Sequence, residues 1–198
     1  MQAFETFKQI MKEEAVKAID NLNIENYEAA AKMILESEVR GGRLHITGIG
    51  KPSYVAQYGA SLISSTGTPT YYLHGTEAVH GSCGQLREGD VVIYISNSGE
   101  TVELKATAIA ARNNGAKLIA VTGNPESFLA KYADIHICAH VDNEGGPLNR
   151  APRTSIISET LVIQALSVIL QATKEQTPQQ YVKCHPGGSL GALRENEK

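Results

Sequence analysis

The chain has 198 residues, 42% apolar and 20% charged, with a formal net charge of −3. This is an ordinary composition for one globular domain and excludes a disordered or fibrous chain. No basic stripe is present, which argues against a nucleic-acid partner. The absence of an eighteen-residue apolar run or an N-terminal apolar h-region argues against a membrane span and a signal peptide. Cys83, Cys138 and Cys184 are far apart, so neither a disulfide framework nor a zinc site is expected. A reducing cytoplasm is the simplest setting. Cys138, inside the apolar run Ile135–Ala139, is expected in the core.

Residues 4–38 read as two helices. Phe4, Phe7, Met11, Ala15, Ala18 and Leu22 form the apolar stripe of the first. Asn23 caps the second, with Ala29, Ala30, Met33 and Ile34 inward, and Gly41-Gly42 ends it. Strands and helices then alternate. Strands are expected at Leu44–Thr47, Thr70–Leu73, Val91–Ile95, Lys117–Thr122 and Ile135–Val141. Helices are expected from Pro52 to about Ser64, Val102–Asn113, Ser127–Tyr132 and Ile156–Leu170. The last is apolar nearly all round and is expected to be buried. The tail Arg194–Lys198 reads as a frayed, solvated end. Strands that scarcely alternate, separated by helices, imply a parallel sheet buried on both faces. The fold class is α/β, a three-layer α/β/α sandwich, and its ligands bind at the carboxyl ends of the strands.

Two segments concentrate chemistry. Ser96-Asn97-Ser98-Gly99-Glu100-Thr101 lies between a strand and a helix. Its hydroxyls and amides, beside the positive end of a helix, suit a phosphate. His185-Pro186-Gly187-Gly188 puts an ionisable ring on a stiff turn. Together they suggest an enzyme that holds a phosphorylated substrate and moves protons on it. Glu103 either points away from the phosphate or faces an uncharged part of the substrate as a general base. His80, Glu144 and Glu159 are further candidates, Glu159 either as a first-turn surface acid or as a carboxylate lining the pocket. Gly48-Ile49-Gly50-Lys51 matches neither a dinucleotide fingerprint, because Ser53 replaces the third glycine, nor a P-loop, because His45 and Pro52 stand at required positions.

The Ser96–Thr101 segment, with Gly48–Lys51 upstream and Ser65-Thr66-Gly67-Thr68-Pro69 between, resembles the sugar isomerase (SIS) domain family. Glu77-Ala78-Val79-His80-Gly81, Thr122–Ser127 and His185–Gly191 resemble the arabinose-5-phosphate isomerases within it. The similarity runs from about residue 40 to 191. It divides the chain into N-terminal helices (1–40), an SIS domain (41–191) and a tail (192–198). The resemblance implies a five-stranded flavodoxin-like sheet and interconversion of D-arabinose 5-phosphate and D-ribulose 5-phosphate through an enediol. It implies Lys51, His80, Glu103, Glu144 and His185 as the catalytic set, and Ser96, Ser98 and Thr101 as the phosphate ligands. It also implies a homotetramer in which His80 or His185 completes a neighbour's site. Neither a cofactor nor a metal is expected.

Three departures bear on substrate and control. The chain ends about seven residues beyond Gly191, which reads as the form without CBS domains. Arg150 and Arg153 place two cations where the family has Ala-Pro-Thr-Ser-Ser. Glu159 replaces a small residue, and related hexulose-phosphate isomerases carry a functional glutamate near this point. Arg150, Arg153 and Glu159 are therefore specificity candidates. Two alternatives follow: an isomerase of another phosphosugar, such as a hexulose 6-phosphate, or a non-catalytic sugar-phosphate sensor.

Overall fold

The computed structural model describes residues 1–198. Two helices lead, α1 (Gln2–Asp20) and α2 (Ile24–Val39), and the Asn23 side chain caps α2 by accepting from the Glu25 amide at 2.9 Å. The alternating part follows as β1 (Leu44–Gly48), α3 (Lys51–Ser65), β2 (Thr70–Tyr72), β3 (Val91–Ile95), α4 (Val102–Asn113), β4 (Lys117–Thr122), α5 (Phe128–Tyr132) and β5 (Ile135–Cys138). Two 3-10 turns, Glu77–His80 and Ser82–Gln85, bridge β2 to β3. The chain closes with α6 (Thr154–Thr173) and α7 (Pro178–Cys184).

The five strands form one parallel sheet in the order β2-β1-β3-β4-β5. Period-two alternation sends Val91, Ile93 and Ile95 into a core under α2, α3 and α6, while Val92 and Tyr94 enter a second core under α4 and α5. Both faces are covered, which is why β1 and β3 are buried at every position. The three-layer sandwich and its five-stranded parallel sheet agree with the expectation. Because the chain leaves β1 and β3 in opposite directions, their carboxyl ends border the crevice where such sheets bind ligands.

Several elements differ from expectation. β5 stops at Cys138, and Cys138 is exposed rather than in the core. The α1 stripe is only partly covered: Phe4 is 63% exposed, and the one buried residue of α1 is Glu14. Ala29 faces outward while Ala30 and Ile34 are buried. α6 is long and apolar enough to pass for a membrane span, yet it packs on α1, α2 and α3 and exposes Gln164 and Val168. α7 is an additional helix, started by a Thr177/Gln180 capping box with Pro178 in its first turn. The tail folds back, with Gln179 Nε2 donating to the Glu197 carbonyl at 2.9 Å.

Candidate active site at the carboxyl edge of the sheet

The loop after β3 turns the Ser96 and Thr101 hydroxyls toward each other. Ser96 is buried, and its Oγ accepts from the Gly99 amide at 3.2 Å and lies 3.3 Å from Thr101 Oγ1. Thr101 is the N-cap of α4 but makes no side-chain cap bond. Its hydroxyl and the unpaired first-turn amides of α4 therefore face the crevice with the positive end of the helix dipole. Ser98 is exposed, and its Oγ accepts from the Glu100 amide at 3.2 Å. Glu100 does not oppose an anion here. Its carboxylate turns outward to Lys105 and accepts from the Phe128 amide at 2.7 Å, and these contacts hold its pKa below the ordinary value.

Gly99 is required at the bend. Its φ is +66°, and a Cβ there would fall on Ser127 Oγ. Gly48 has the matching role after β1, where a Cβ would meet the Pro52 carbonyl carbon at 2.8 Å. This close approach starts α3 directly at the strand end, so Lys51, exposed in its first turn, stands on the crevice. Glu103 is exposed in the first turn of α4, which packs against the Glu77–His80 turn that ends in exposed His80. Thr107 Oγ1 pins this turn's approach by donating to the Gly75 carbonyl at 2.7 Å.

The remaining exits are laced to the cradle. The Gly123 amide donates to the Asn97 carbonyl at 2.9 Å, and His140 Nδ1 donates to the Gly123 carbonyl at 2.9 Å. Beyond His140 lies Glu144, only 9% exposed. Its Oε2 accepts from the Arg153 amide, from Thr154 Oγ1 at 3.3 Å and from the Ser155 amide at 3.2 Å. Burial pushes the Glu144 pKa up, but these donors outweigh it and hold the group below its ordinary value, as a carboxylate. Arg150 and Arg153 are exposed beside this loop. Glu159 is neither a surface acid nor a wall of the crevice: it has no exposure at all. Burial, and then the charge of Glu144, raise its pKa to about 8.

The fold thus gathers Lys51, His80, Ser96, Ser98, Thr101, Glu103 and Glu144 at one edge. It does not bring His185 there. α7 follows the far end of α6, and Lys183 and Cys184 line a cavity with Thr66 and Gly67, just before β2 begins. A 20-residue helix spans about 30 Å, so His185 sits near the amino edge of the sheet, across the molecule from the cradle. There its ring stacks on Tyr181 at 5.7 Å. An apolar groove of about 670 Å³ between α2 and α6 also lies toward that edge and contains none of the gathered residues.

His74 was not among the sequence candidates. Its Nδ1 accepts from the Thr76 and Glu77 amides at 3.3 and 3.2 Å and so shapes the turn that presents His80. The signal was the His74-Gly75-Thr76-Glu77 turn after β2, in which a histidine substitutes for the usual Asp or Asn acceptor.

The family model of the SIS domain matches residues 39–169. The chain belongs to the SIS domain family. Arabinose 5-phosphate isomerase KdsD of Francisella tularensis is 35% identical over 189 residues, covering 96% of this chain and 57% of that protein. KdsD of Pseudomonas aeruginosa is 42% identical over 151 residues, covering 76% and 46%. The chain spans about half the length of these curated relatives. Among solved structures, Escherichia coli CFT073 c3406 in complex with arabinose 5-phosphate superposes with a TM-score of 0.85 at 32% identity, covering 92% of this SIS chain and 95% of c3406.

Proposed function

We propose that the chain is a phosphosugar aldose–ketose isomerase that interconverts D-arabinose 5-phosphate and D-ribulose 5-phosphate. The observation that carries this reading is the composition of one edge: a loop of hydroxyls and helix-start amides on the same edge as a lysine, a histidine and two acids. The similarity to KdsD proteins and to c3406 with its bound arabinose 5-phosphate supports the choice of sugar. A sensor needs the anchor but has no use for Glu103 or His185.

Ser96, Ser98, Thr101 and the α4 amides anchor the phosphate, which fixes where the carbonyl end of the sugar lies. Lys51 stabilises the enediolate oxygen as charge develops. His80 assists ring opening or proton exchange between the two oxygens. The carbon-bound proton belongs to His185, with Glu103 as the alternative base. Because His185 lies at the opposite edge of its own chain, this role requires a second copy that presents its α7 to the cradle. A homo-oligomer with shared sites, a tetramer in the family pattern, is part of the proposal. Three free thiols support a cytoplasmic setting.

The test is an NMR time course with D-ribulose 5-phosphate in D₂O, with Ser98→Ala as control. Arabinose 5-phosphate signals that carry solvent deuterium and are lost in the control are expected. An unchanged spectrum with a raised melting temperature overturns the catalytic reading in favour of a sensor or another substrate. His185→Ala with normal turnover transfers the base to Glu103. Exposed Arg150 and Arg153, beside the Glu144 loop, favour one second reading, an isomerase for a different phosphosugar. A phosphosugar panel decides between the two.

A further inference from the structure

The exits of β3, β4 and β5 are stitched together, and the stitch runs through a histidine outside the proposed catalytic set. The Gly123 amide, after β4, donates to the Asn97 carbonyl at 2.9 Å, and Asn97 stands between Ser96 and Ser98 in the hydroxyl loop. The Gly123 carbonyl accepts from His140 Nδ1, after β5, at 2.9 Å. The other ring nitrogen, His140 Nε2, lies 3.0 Å from Asp142 Oδ1. Asp142 is in turn moored to α1. Its Oδ2 accepts from Lys17 Nζ at 2.8 Å, and its amide donates to Oε2 of buried Glu14 at 2.9 Å.

This partner set fixes the charge of the ring. A carbonyl oxygen and an ionised carboxylate can only accept, and a neutral imidazole has one N–H to give. Asp142 is held ionised by Lys17, which keeps its pKa below the ordinary carboxylate value. Both His140 nitrogens must donate, so the ring is an imidazolium while both bonds are made. The same two bonds, Asp142 first, raise its pKa above 6.5. A cationic donor makes a bond roughly twice as strong as a neutral one. It polarises the Gly123 peptide, which then gives its own N–H more firmly to Asn97.

We propose that His140 is a positioning residue for the phosphosugar: as an imidazolium braced by Asp142 it clamps the Gly123 peptide, which holds Asn97 and the hydroxyl loop, so that affinity for a sugar phosphate follows the charge on His140. No proton passes to substrate. Deprotonation leaves one N–H for two acceptors, and the clamp releases one of them.

The charges around the ring are accounted for. From α1, Glu14 adds to the pull of Asp142, and Lys17 sits on the far oxygen of that carboxylate. On β5, His136 turns to Thr122 Oγ1 at 2.9 Å and burial lowers its pKa, while Cys138 is an exposed thiol. Beside α5, Glu126 pairs with Lys131 and Asp134 with Arg112. Tyr27 of α2 titrates far above neutrality because of burial. In the hydroxyl loop Glu100 is turned away to Lys105. In the loop after Asp142, Glu144 is held by the Arg153 and Ser155 amides, and Arg150 and Arg153 are exposed. The charge that bears on Glu159 of α6 is that of Glu144.

The effect on affinity rests on the reading of the hydroxyl loop as a phosphate anchor; the charge on His140 does not, and two measurements separate them. The first is a ¹⁵N-imidazole NMR titration of the ligand-free protein. His140 is expected to titrate above 6.5, and Asp142→Asn, whose side-chain amide can donate to Nε2, should lower that midpoint. A midpoint at or below 6.5, or one unmoved by Asp142→Asn, overturns the proposal whatever the protein does to sugars. The second is the dissociation constant of D-arabinose 5-phosphate, by calorimetry, for wild type and His140→Gln between about pH 6 and 9. The glutamine side chain can serve one acceptor but carries no charge. On the acid side of the His140 midpoint the variant should bind about three- to tenfold more weakly, as expected when part of one charge-assisted hydrogen bond is passed on to binding. The two constants should converge above the midpoint. Their ratio cancels the ionisation of the phosphate and of every group the two proteins share. A ratio of one throughout refutes the role, and so does a ratio that pH leaves constant, which is what a merely structural histidine gives. If His140→Gln does not fold, Asp142→Asn replaces it, with the affinity step expected at lower pH and an unshifted step overturning the proposal. A ratio that follows His140 in a protein that turns over no phosphosugar leaves the clamp standing and sinks the isomerase; turnover with a flat ratio does the reverse.

Discussion

Gly99→Ala should damage the cradle through a specific collision. Gly99 has φ +66°, and a Cβ there would fall on Ser127 Oγ, 2.6 Å from Ser127 Cβ and 3.2 Å from Thr122 Cγ2. Left-handed backbone costs a residue with a Cβ about 1–2 kcal/mol. Forcing a methyl into packed surroundings adds about 1–3 kcal/mol. Ser127 cannot simply step aside, because its hydroxyl caps α5 by accepting from the Ala130 amide at 3.3 Å. Losing such a cap costs about 1 kcal/mol. The sum is about 3–6 kcal/mol, a large share of the ~5–15 kcal/mol that holds a typical domain folded. For a domain of this size that lowers the melting temperature by roughly 6–24 °C. Thermal and urea unfolding of Gly99→Ala should be run beside Gly84→Ala, where an added Cβ meets nothing within 4 Å and φ is ordinary. Gly84→Ala should melt like the wild type. A Gly99→Ala protein that also does so would refute the account of why the loop bends where it does.

Other perturbations probe other parts of the frame. Fully buried Asp90 accepts from the Arg43 and Arg87 amides at 2.8 and 2.9 Å and sits 3.2 Å from His45 Nε2. Asp90→Ala strands these partners and should cost about 2–4 kcal/mol in urea unfolding, with Asp90→Asn losing less. His140 is raised above its ordinary 6.5 by Asp142, and Asp142 is lowered below its ordinary 3.8 by Lys17 and then His140. The His140 contribution is complete below pH 6.5 and is lost as pH rises through the raised value; the Asp142 contribution is present above 3.8 and is lost as pH falls. The melting-temperature gap between wild type and Asp142→Asn should therefore be widest near about pH 5–6 and narrow on the alkaline side. Lys174 Nζ donates to Glu38 at 2.7 and 3.0 Å and to the Gly67 carbonyl. Lys174→Met should cost about 1–3 kcal/mol and speed trypsin cleavage after Lys183, measured by gel time course.

The alternating half of the chain was legible because its signals are local. Val102–Asn113 and Lys117–Thr122 have the bounds expected from their patterns, and a buried parallel strand announces itself by an unbroken apolar run. The hydroxyl loop after β3 was readable for the same reason, since hydroxyls, glycine and helix start are contiguous. What failed depended on distant neighbours. Cys138 looked like core because of its run, but β5 is an edge strand whose outer face is open. Glu159 read as either a surface acid or a pocket carboxylate, and its full burial was missed because it is decided by the packing of α1, α2 and α3 around α6. His185 looked like a neighbour of Ser96 because spacing along a chain carries no information about which edge of the sheet a late helix reaches.

That last separation has a genetic consequence. If catalysis needs the cradle of one copy and the α7 histidine of another, a defect in either half is not private to its own polypeptide. Chains carrying Ser98→Ala and chains carrying His185→Ala, each inactive alone, would repair one another when unfolded and reassembled together, because a mixed assembly contains intact pairings.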